Sequence, residues 1–293
     1  MFFERYRHKQ EGAIRFYDLR SRGTRAAVIV IFILCIIMVA ISLFPAVWVG
    51  LSGFKDIKEY RREATILPQT FDFERYVKTW NDFKFGKYYV NSLISVAGSV
   101  ICAVLFNGTL AYVLGVLRPR GHKVVFALVM WSLLIPPTTG IVALYVNINR
   151  LGMSQSFLPL WLSMGANAFW VVLFKQFFEK LPREYIEAAE LDGCSDFRIF
   201  WNIILPLSRP IIIVVSIFAV TAAWSDFLLP YLVLTGTDKE TVMVRLFEFR
   251  TAIKHTDVDI LRAIVFSIIP PTIIFAIFQK QITRGIAAGG IKG

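Results

Sequence analysis

The chain has 293 residues, of which 56% are hydrophobic and 15% aromatic, and its mean hydropathy is +0.59. So much apolar surface excludes an ordinary soluble domain of this length. The net charge of +11 does not indicate a nucleic-acid partner, because its distribution follows the membrane topology described below. The composition predicts an all-α protein that crosses a membrane several times and is surrounded by the lipid bilayer.

Six apolar runs are long enough to span a bilayer, whose core needs about 20 residues of helix. They lie at about 26–51, 88–117, 124–147, 157–178, 210–234 and 258–281. Residues 1–25 form a charged N-terminal arm, and 26–293 form one predicted transmembrane domain. No small-residue cleavage site ends the first run, so we expect it to be retained as a helix.

The short basic connections orient the predicted helices. The segment RPRGHK at 118–123 and the basic arm indicate cytoplasmic positions, since short positively charged segments stay inside. Both termini are therefore predicted to be cytoplasmic. The cysteines Cys35, Cys102 and Cys194 fall in two helices and a loop, so we expect no disulfide framework.

The first outer connection, at about 52–87, contains a predicted amphipathic helix. In TFDFERYVKTWNDF the apolar residues recur at three- and four-residue spacing. Two interpretations stay open: a helix that packs against the membrane surface, or one that helps to receive a substrate. The proline pairs Pro136–Pro137 and Pro270–Pro271 lie inside the third and sixth runs, where proline kinks a helix.

The second apolar run carries a stripe of mostly small and hydroxyl side chains at 3-4-3-4-3 spacing. Such a stripe allows close packing of transmembrane helices, which we favour over a lining of the translocation path. Its members are Ser92, Ser95, Ser99, Cys102, Phe106 and Thr109.

The fourth connection differs from the others because an acidic helix lies between two apolar runs. This helix lies in EYIEAAELDG; Pro182, two residues before that stretch, is placed at a helix start, and Gly193 at a helix end. Ser195 can cap a second short helix, and Pro206 interrupts it. Helices that rest on lipid headgroups favour Lys and Arg on their polar face, so an acidic helix indicates a groove in a partner protein.

This segment resembles the coupling-loop signature of the permease subunits of ABC importers, in particular the carbohydrate-uptake branch similar to the smaller maltose permease. The pattern is Glu-Ala-Ala, a glycine four residues later, then Ile-x-Leu-Pro. It is filled by Glu187, Ala188, Ala189, Gly193, Ile203, Leu205 and Pro206. Further matching pieces are YYVNSL at 88–93, WSDFLLP at 224–230 and the terminal GIAAGGIKG. Cys194 and Ser225 stand where alanine and asparagine are usual.

The resemblance implies a type I ABC importer permease fold of six transmembrane helices with a cytoplasmic coupling helix, in a bacterial or archaeal plasma membrane. It implies four kinds of partner: a second permease subunit, two ATP-binding subunits, an extracytoplasmic binding protein and a carbohydrate substrate. Glu187, Asp192 and the neighbouring backbone would contact the ATP-binding subunit, and Gly193 would allow the tight turn. The tail at 285–293 is compatible with a contact to the ATP-binding subunits or with a flexible end.

The sequence contains no GxxxxGK[ST] phosphate loop, so ATP and magnesium are expected in the partner subunits and no cofactor in this chain. Scattered histidines predict no metal site, and no nucleophile–base set predicts a catalytic residue. The chain is therefore not expected to be an enzyme.

Five residues are candidates for the translocation path, because sugars bind to aromatic, amide and carboxyl groups. They are Trp131, Asn167, Trp224, Asp226 and Tyr231. Asp226 lies inside an apolar run, where a carboxylate is either functional or hydrogen-bonded at a bend near Pro230; we favour the bend.

The basic outer residues give a weak indication of an acidic oligosaccharide. The alternative function is an ion-gradient-driven secondary transporter, which predicts internal repeats and ionisable residues at the midplane.

Overall fold

The computed structural model describes residues 22–62, 65–252 and 254–290, with side chains as far as 279. Most of the predicted arm at 1–25, and the last three residues of the predicted tail at 285–293, lie outside the described residues. Within these ranges all regular secondary structure is helical. The chain divides into two compact units, Met1–Phe71 and Asp72–Gly293.

The first unit contains helix α1, Arg22–Ser52, and the short helix α2, Ile57–Arg62. After α1 the chain turns, and the Lys55 ammonium group donates hydrogen bonds to the carbonyl and the hydroxyl oxygen of Thr65. The Gln69 backbone N–H donates to Glu59 Oε1 at 2.8 Å. These bonds hold the polar segment after α1 in a defined conformation.

The second unit contains twelve α-helical segments and a 3-10 turn, Pro137–Gly140, within the part of the chain that the structure describes. They are α3 Glu74–Phe83, α4 Phe85–Tyr112, α5 His122–Ser132, α6 Ile141–Arg150, α7 Leu158–Met164, α8 Ala168–Phe178, α9 Glu184–Leu191, α10 Asp196–Leu207, α11 Arg209–Ser225, α12 Leu228–Leu234, α13 Val242–Thr251 and α14 Asp257–Gly290. Helix α4 continues as a π-helical turn at Val113–Leu117, and α10 includes another at Phe200–Ile204.

Three to six helical segments of the described chain could cross a membrane, and the upper number equals the predicted six. Three are single helices: Gly23–Ser52, Phe85–Leu117 and Asp257–Gln279. The other three count as spans only if each bent helix pair is one span. The bends are 95° between α5 and Pro137–Arg150, 45° between α7 and α8, and 81° between α10 and α11.

Local backbone features explain where two of the predicted apolar runs are interrupted. The third run is interrupted at Pro136–Pro137, as the sequence predicts, because proline cannot donate the hydrogen bond that continues the helix. Pro270 and Pro271, in contrast, lie within the uninterrupted helix α14. The fifth run, predicted as one helix over 210–234, ends at Ser225 because Asp226 takes an extended conformation.

Helix α4 lies at the centre of the second unit and packs against α7, α8, α11 and α13. Its fully buried Ala103 belongs to the same core as Phe174 of α8 and Val215 of α11. A Cβ at Gly98 would lie 2.2 Å from the indole of Trp161, so only glycine permits this approach of α4 and α7.

The serine stripe on α4 is buried over its first half only. Ser92, Ser95 and Ser99 are buried, as the packing interpretation requires, whereas Phe106 and Thr109 are exposed. Further along α4 the buried positions follow four-residue spacing and are other small residues and an amide, so the covered face turns away from the stripe. These residues are Ala103, Asn107 and Ala111.

The predicted amphipathic helix in the outer connection is present as α3. Its Phe83 is fully buried and its Trp80 ring stacks on Phe85, with centroids 5.1 Å apart. Phe73 and Val77, on the same predicted face, are exposed. Helix α3 therefore packs on the start of α4 and, through Tyr76 and Trp80, on Phe266 of α14.

Candidate functional site

The acidic helix and its successor form the helical hairpin α9–α10, joined by a tight turn. Gly193 has φ +75°, a left-handed conformation that glycine adopts without strain. Its N–H donates to the Glu190 carbonyl at 3.0 Å, and the Cys194 N–H donates to the Ala189 carbonyl at 2.9 Å. This pair of bonds is a Schellman motif, which satisfies the last carbonyls of α9. The predicted role of Gly193 in the turn agrees with this geometry.

Helix α10 begins as the sequence predicts. Ser195 is the N-cap and its hydroxyl oxygen accepts a bond from the Arg198 N–H at 3.4 Å. Pro206 lies in the last turn of α10, and the chain then bends by 81° into α11. If α11 crosses the membrane, α10 runs nearly parallel to its surface.

One face of the hairpin is anchored in the core of the second unit. Ala189 is buried, and Ile186 packs against the same cluster as Phe178 and Phe200. The Tyr112 ring, near the end of α4, lies 5.1 Å from the Phe200 ring. Ile203 and Leu205 are partly buried against this cluster as well. The hairpin is therefore a fixed part of the fold.

The opposite face of the hairpin is exposed and combines apolar with acidic side chains. Tyr185, Ala188 and Leu191 recur at three-residue spacing on α9, and 90% of the Leu191 surface is exposed. Glu187 and Asp192 are exposed beside them. A large apolar side chain surrounded by acids, on a helix that the core holds in place, is a surface typical of protein docking.

The five path candidates do not form one cluster. Trp131 lies on α5 and is 70% exposed. The Trp224 indole is buried and donates to the Ser267 carbonyl of α14 at 3.1 Å. Tyr231, on α12, stacks on Phe227 with centroids 5.2 Å apart. Asp226 lies at the break between α11 and α12.

Asn167 ends the break between α7 and α8. Its side-chain oxygen accepts a bond from the Trp170 N–H at 3.2 Å and caps α8. Its own backbone N–H donates to Asn107 Oδ1 at 2.9 Å, while Asn107 Nδ2 donates to the Met164 carbonyl at 3.0 Å. Sequence reasoning missed Asn107. An amide inside an apolar run was the available signal, since a buried amide needs partners.

No group of three or more His, Cys, Asp or Glu residues that could hold a metal occurs in the described part of the chain. The cysteines Cys35, Cys102 and Cys194 are free thiols.

The comparison with protein families decides the family of this chain. The model described as "binding-protein-dependent transport system inner membrane component" matches residues 28–288. The chain belongs to this family. It is an inner-membrane permease component, and its fold is that of the type I importer permeases.

Curated relatives support the same family along most of their length. NgcG, the diacetylchitobiose uptake system permease of Streptomyces coelicolor, is 30% identical over 88% of this chain and 87% of its own length. AraQ, an arabinooligosaccharide transport permease of Bacillus subtilis, is 28% identical over 86% and 91%. GanQ, a galactooligosaccharide transport permease of the same organism, is 30% identical over 89% and 94%.

A solved structure shares the fold. The chain superposes with a TM-score of 0.79 on a chain of a bacterial ABC transporter that imports the acidic polysaccharide alginate. The two chains are 22% identical, and the match covers 89% of this chain and 98% of the other.

Proposed function

We propose that this chain is the permease subunit of an ATP-binding-cassette importer that carries an oligosaccharide into the cell. The observation that carries the proposal is the anchored hairpin with an exposed docking face in a chain of the binding-protein-dependent transport family. The ATPase activity belongs to partner subunits, which also bind the ATP and magnesium.

In this proposal α9 is the coupling helix. Tyr185, Ala188 and Leu191 contact a groove of the ATP-binding subunit, and Glu187 and Asp192 meet cationic groups at its edge. The buried Ala189, together with Ile203 and Leu205, connects the helix to the core. Movement of the groove during the ATP cycle then shifts the equilibrium of the membrane helices, provided that the two conformations dock differently.

The complete importer requires partners on both sides of the membrane. We propose a second permease subunit, two ATP-binding subunits on the cytoplasmic side and an extracytoplasmic binding protein that delivers the sugar. Both termini of this chain are cytoplasmic in this arrangement, because α9 must share a side with the ATP-binding subunits and each full span reverses the side.

The oligosaccharide class is supported by the relatives, whose names specify diacetylchitobiose, arabinooligosaccharides and galactooligosaccharides. The outer basic residues give less support for an acidic sugar than the sequence indicated. Lys87 pairs with Asp238, and the buried Lys55 bonds to Thr65. Two of the outer cations are thus engaged within the chain.

The translocation path is proposed to pass the break between α11 and α12. Asp226 and Tyr231 lie in and just after this break, where the Asp226 carboxylate accepts hydrogen bonds from backbone N–H groups at the start of α12, as the bend interpretation requires. Trp131 is proposed on the same path from its exposure on α5. Asn167 and Trp224 also hold helices together, so variants at these two positions will change both packing and transport.

The test is co-expression with candidate partner subunits, purification in detergent and reconstitution into liposomes. We expect a heteromeric complex with vanadate-sensitive ATPase activity that is stimulated by the binding protein. Uptake is assayed with diacetylchitobiose and with arabino-, galacto- and alginate-derived oligosaccharides. A chain that is stable alone and drives uptake from an ion gradient would instead support the secondary-transporter alternative.

A further inference from the structure

An ion cluster joins the cytoplasmic ends of three helices next to the docking hairpin. Glu179 follows the last residue of α8, and its Oε1 accepts a bond from Arg118 Nη2 at 3.0 Å and another from Lys175 Nζ at 2.9 Å. Arg118 follows the π-helical turn that ends α4, and Lys175 lies in α8. A single carboxylate oxygen therefore connects α4 with α8.

The cation partners of Glu179 are themselves fixed. Arg118 has φ +48°, and its Nε donates to the Gly115 carbonyl at 2.8 Å. The Lys175 ammonium lies 4.3 Å from the centre of the Phe126 ring, a cation–π contact with α5. The ends of α4, α5 and α8 thus meet around this carboxylate.

Helix α9 is attached directly to this cluster. Only residues 180–183 separate Glu179 from the first residue of α9. A cavity of about 180 Å³ lies between the cluster and the helix. Its polar lining includes Arg118, Glu179, Arg183, Glu187 and Glu190. Glu179 thus lies beside both the start of α9 and the cavity that α9 lines.

Stability does not explain the cluster well. The Arg118 and Glu179 side chains are 40% and 31% exposed, and ion pairs of such exposure contribute little to folding. Burial alone would raise the pKa of Glu179, but the hydrogen bond from Lys175 and the charges of Lys175 and Arg118 lower it overall. The carboxylate therefore stays ionised at neutral pH.

From this geometry we infer that Glu179 is a positioning residue that makes the docking hairpin move as one body with the cytoplasmic ends of α4 and α5. The inference rests on the proposed function. It assigns to Glu179, Arg118 and Lys175 the transmission of a displacement from the ATP-binding subunit into the membrane helices.

The test measures this movement by spin-label distances in the reconstituted complex. Serine replaces the three native cysteines, and labels are placed at Lys123→Cys on α5 and Arg198→Cys on α10, both exposed positions. Distances are compared between the nucleotide-free complex and the complex trapped with Mg-ATP and vanadate. In the otherwise unchanged chain we expect the distance to stay constant.

In Glu179→Gln we expect the same distance to change by about 2 Å or more on trapping, the size of a helix shift at an interface, while ATPase activity is retained. Lys180→Gln is the matched control, because Lys180 is the exposed neighbour and does not line the cavity. It should behave like the parent. If Glu179→Gln does not assemble, Arg118→Gln is measured in the same way.

Three results would count against the inference. A distance that already changes in the parent, or one that stays constant in Glu179→Gln, would overturn it and leave the proposed function intact. A parent chain that does not assemble with ATP-binding subunits would overturn the proposed function and this inference together.

Discussion

Asn107 and Asn167 are joined across two helices by a hydrogen bond from the Asn167 backbone N–H to Asn107 Oδ1, 2.9 Å long. Asn107 is buried near the C-terminal end of α4, and its Nδ2 also donates to the carbonyls of Ala103 and Met164. One amide therefore satisfies both chain ends at the break between α7 and α8.

Replacing Asn107 with leucine should destabilise the chain by about 1–3 kcal/mol, because the Asn167 N–H and the Met164 carbonyl lose a partner in a buried place. The measurement is thermal unfolding of the purified chain in detergent. Thr109→Val, at an exposed position on the same helix, serves as the control and should unfold like the parent. Equal stability of both variants would contradict the role of the amide.

Gly98 and Gly108 on α4 should respond to alanine in opposite directions. A Cβ at Gly98 would collide with Trp161, so Gly98→Ala should cost about 1–3 kcal/mol. A Cβ at Gly108 meets nothing within 4 Å, so Gly108→Ala should stabilise the helix by about 0.5–1 kcal/mol. Thermal unfolding of the two variants side by side tests the approach of α4 and α7; a loss of similar size in both would argue against it.

Substitutions at Gly193 can distinguish backbone strain in the turn from a clash with a partner subunit. A Cβ there has open space, so Gly193→Ala should cost only about 1–2 kcal/mol of backbone strain, and Gly193→Asn less. In the isolated chain a glutamate side chain has the same open space as that of alanine. In the complex it would fill space that the ATP-binding subunit needs. We expect Gly193→Glu to insert into the membrane normally and to lose both assembly and uptake. Normal uptake by this variant would contradict the coupling role of the turn.

Leu191 should matter for the complex and not for the fold. Because 90% of its surface is exposed, Leu191→Ser should leave the unfolding temperature of the isolated chain unchanged. Loss of a docked apolar side chain should weaken binding of the ATP-binding subunit by about 1–3 kcal/mol, which raises Kd roughly 5- to 150-fold. Leu151→Ser, at another exposed leucine, is the control for binding measured by titration in detergent.

Glu240 gives a prediction about pH. Burial and the nearby Glu248 raise its pKa, although the Gly236 N–H and Arg245 act in the opposite direction. A raised pKa in the folded state means that the protonated form is favoured there, so stability falls as pH rises from the unfolded value of 4.5 through the raised one.

Glu240→Gln removes that charge and keeps the oxygen that accepts the Gly236 N–H, a bond of 2.8 Å in the parent. The variant should unfold at a higher temperature than the parent at pH 7, and the difference should shrink toward pH 4.5. Thermal unfolding across this pH range provides the measurement. A difference that is constant with pH would show that Glu240 does not titrate as expected.

The sequence was informative where structure depends on neighbouring residues. The hairpin could be predicted because Ser195 and Gly193 form hydrogen bonds with residues only a few positions away. The break at Pro136–Pro137 could be predicted because proline interrupts the helix that contains it. The length of the apolar runs predicted six spans, which is the upper number that the described helices allow.

Other features depend on residues far apart in the chain. The break at Asn167 involves Asn107, 60 residues earlier, and the approach of α4 and α7 involves Gly98 and Trp161. The prediction that the serine stripe packs against other helices holds only for its first half, because the surrounding helices determine which face of α4 is buried. The meeting of Arg118 with Glu179 likewise required the folded arrangement.

The contacts of Gly98, Asn107 and Arg118 along α4 restrict the motions open to the span formed by α7 and α8. With a rise of 1.5 Å per residue, these three positions lie about 14 Å and 16 Å apart along the helix axis. Each meets a different part of the partner span: α7 at Trp161, the break at Asn167 and the end of α8 at Glu179. Axial sliding would separate all three contacts at once, whereas rotation of one half about the break leaves two of them intact. A change between open and closed shapes would therefore proceed by rocking of half-spans.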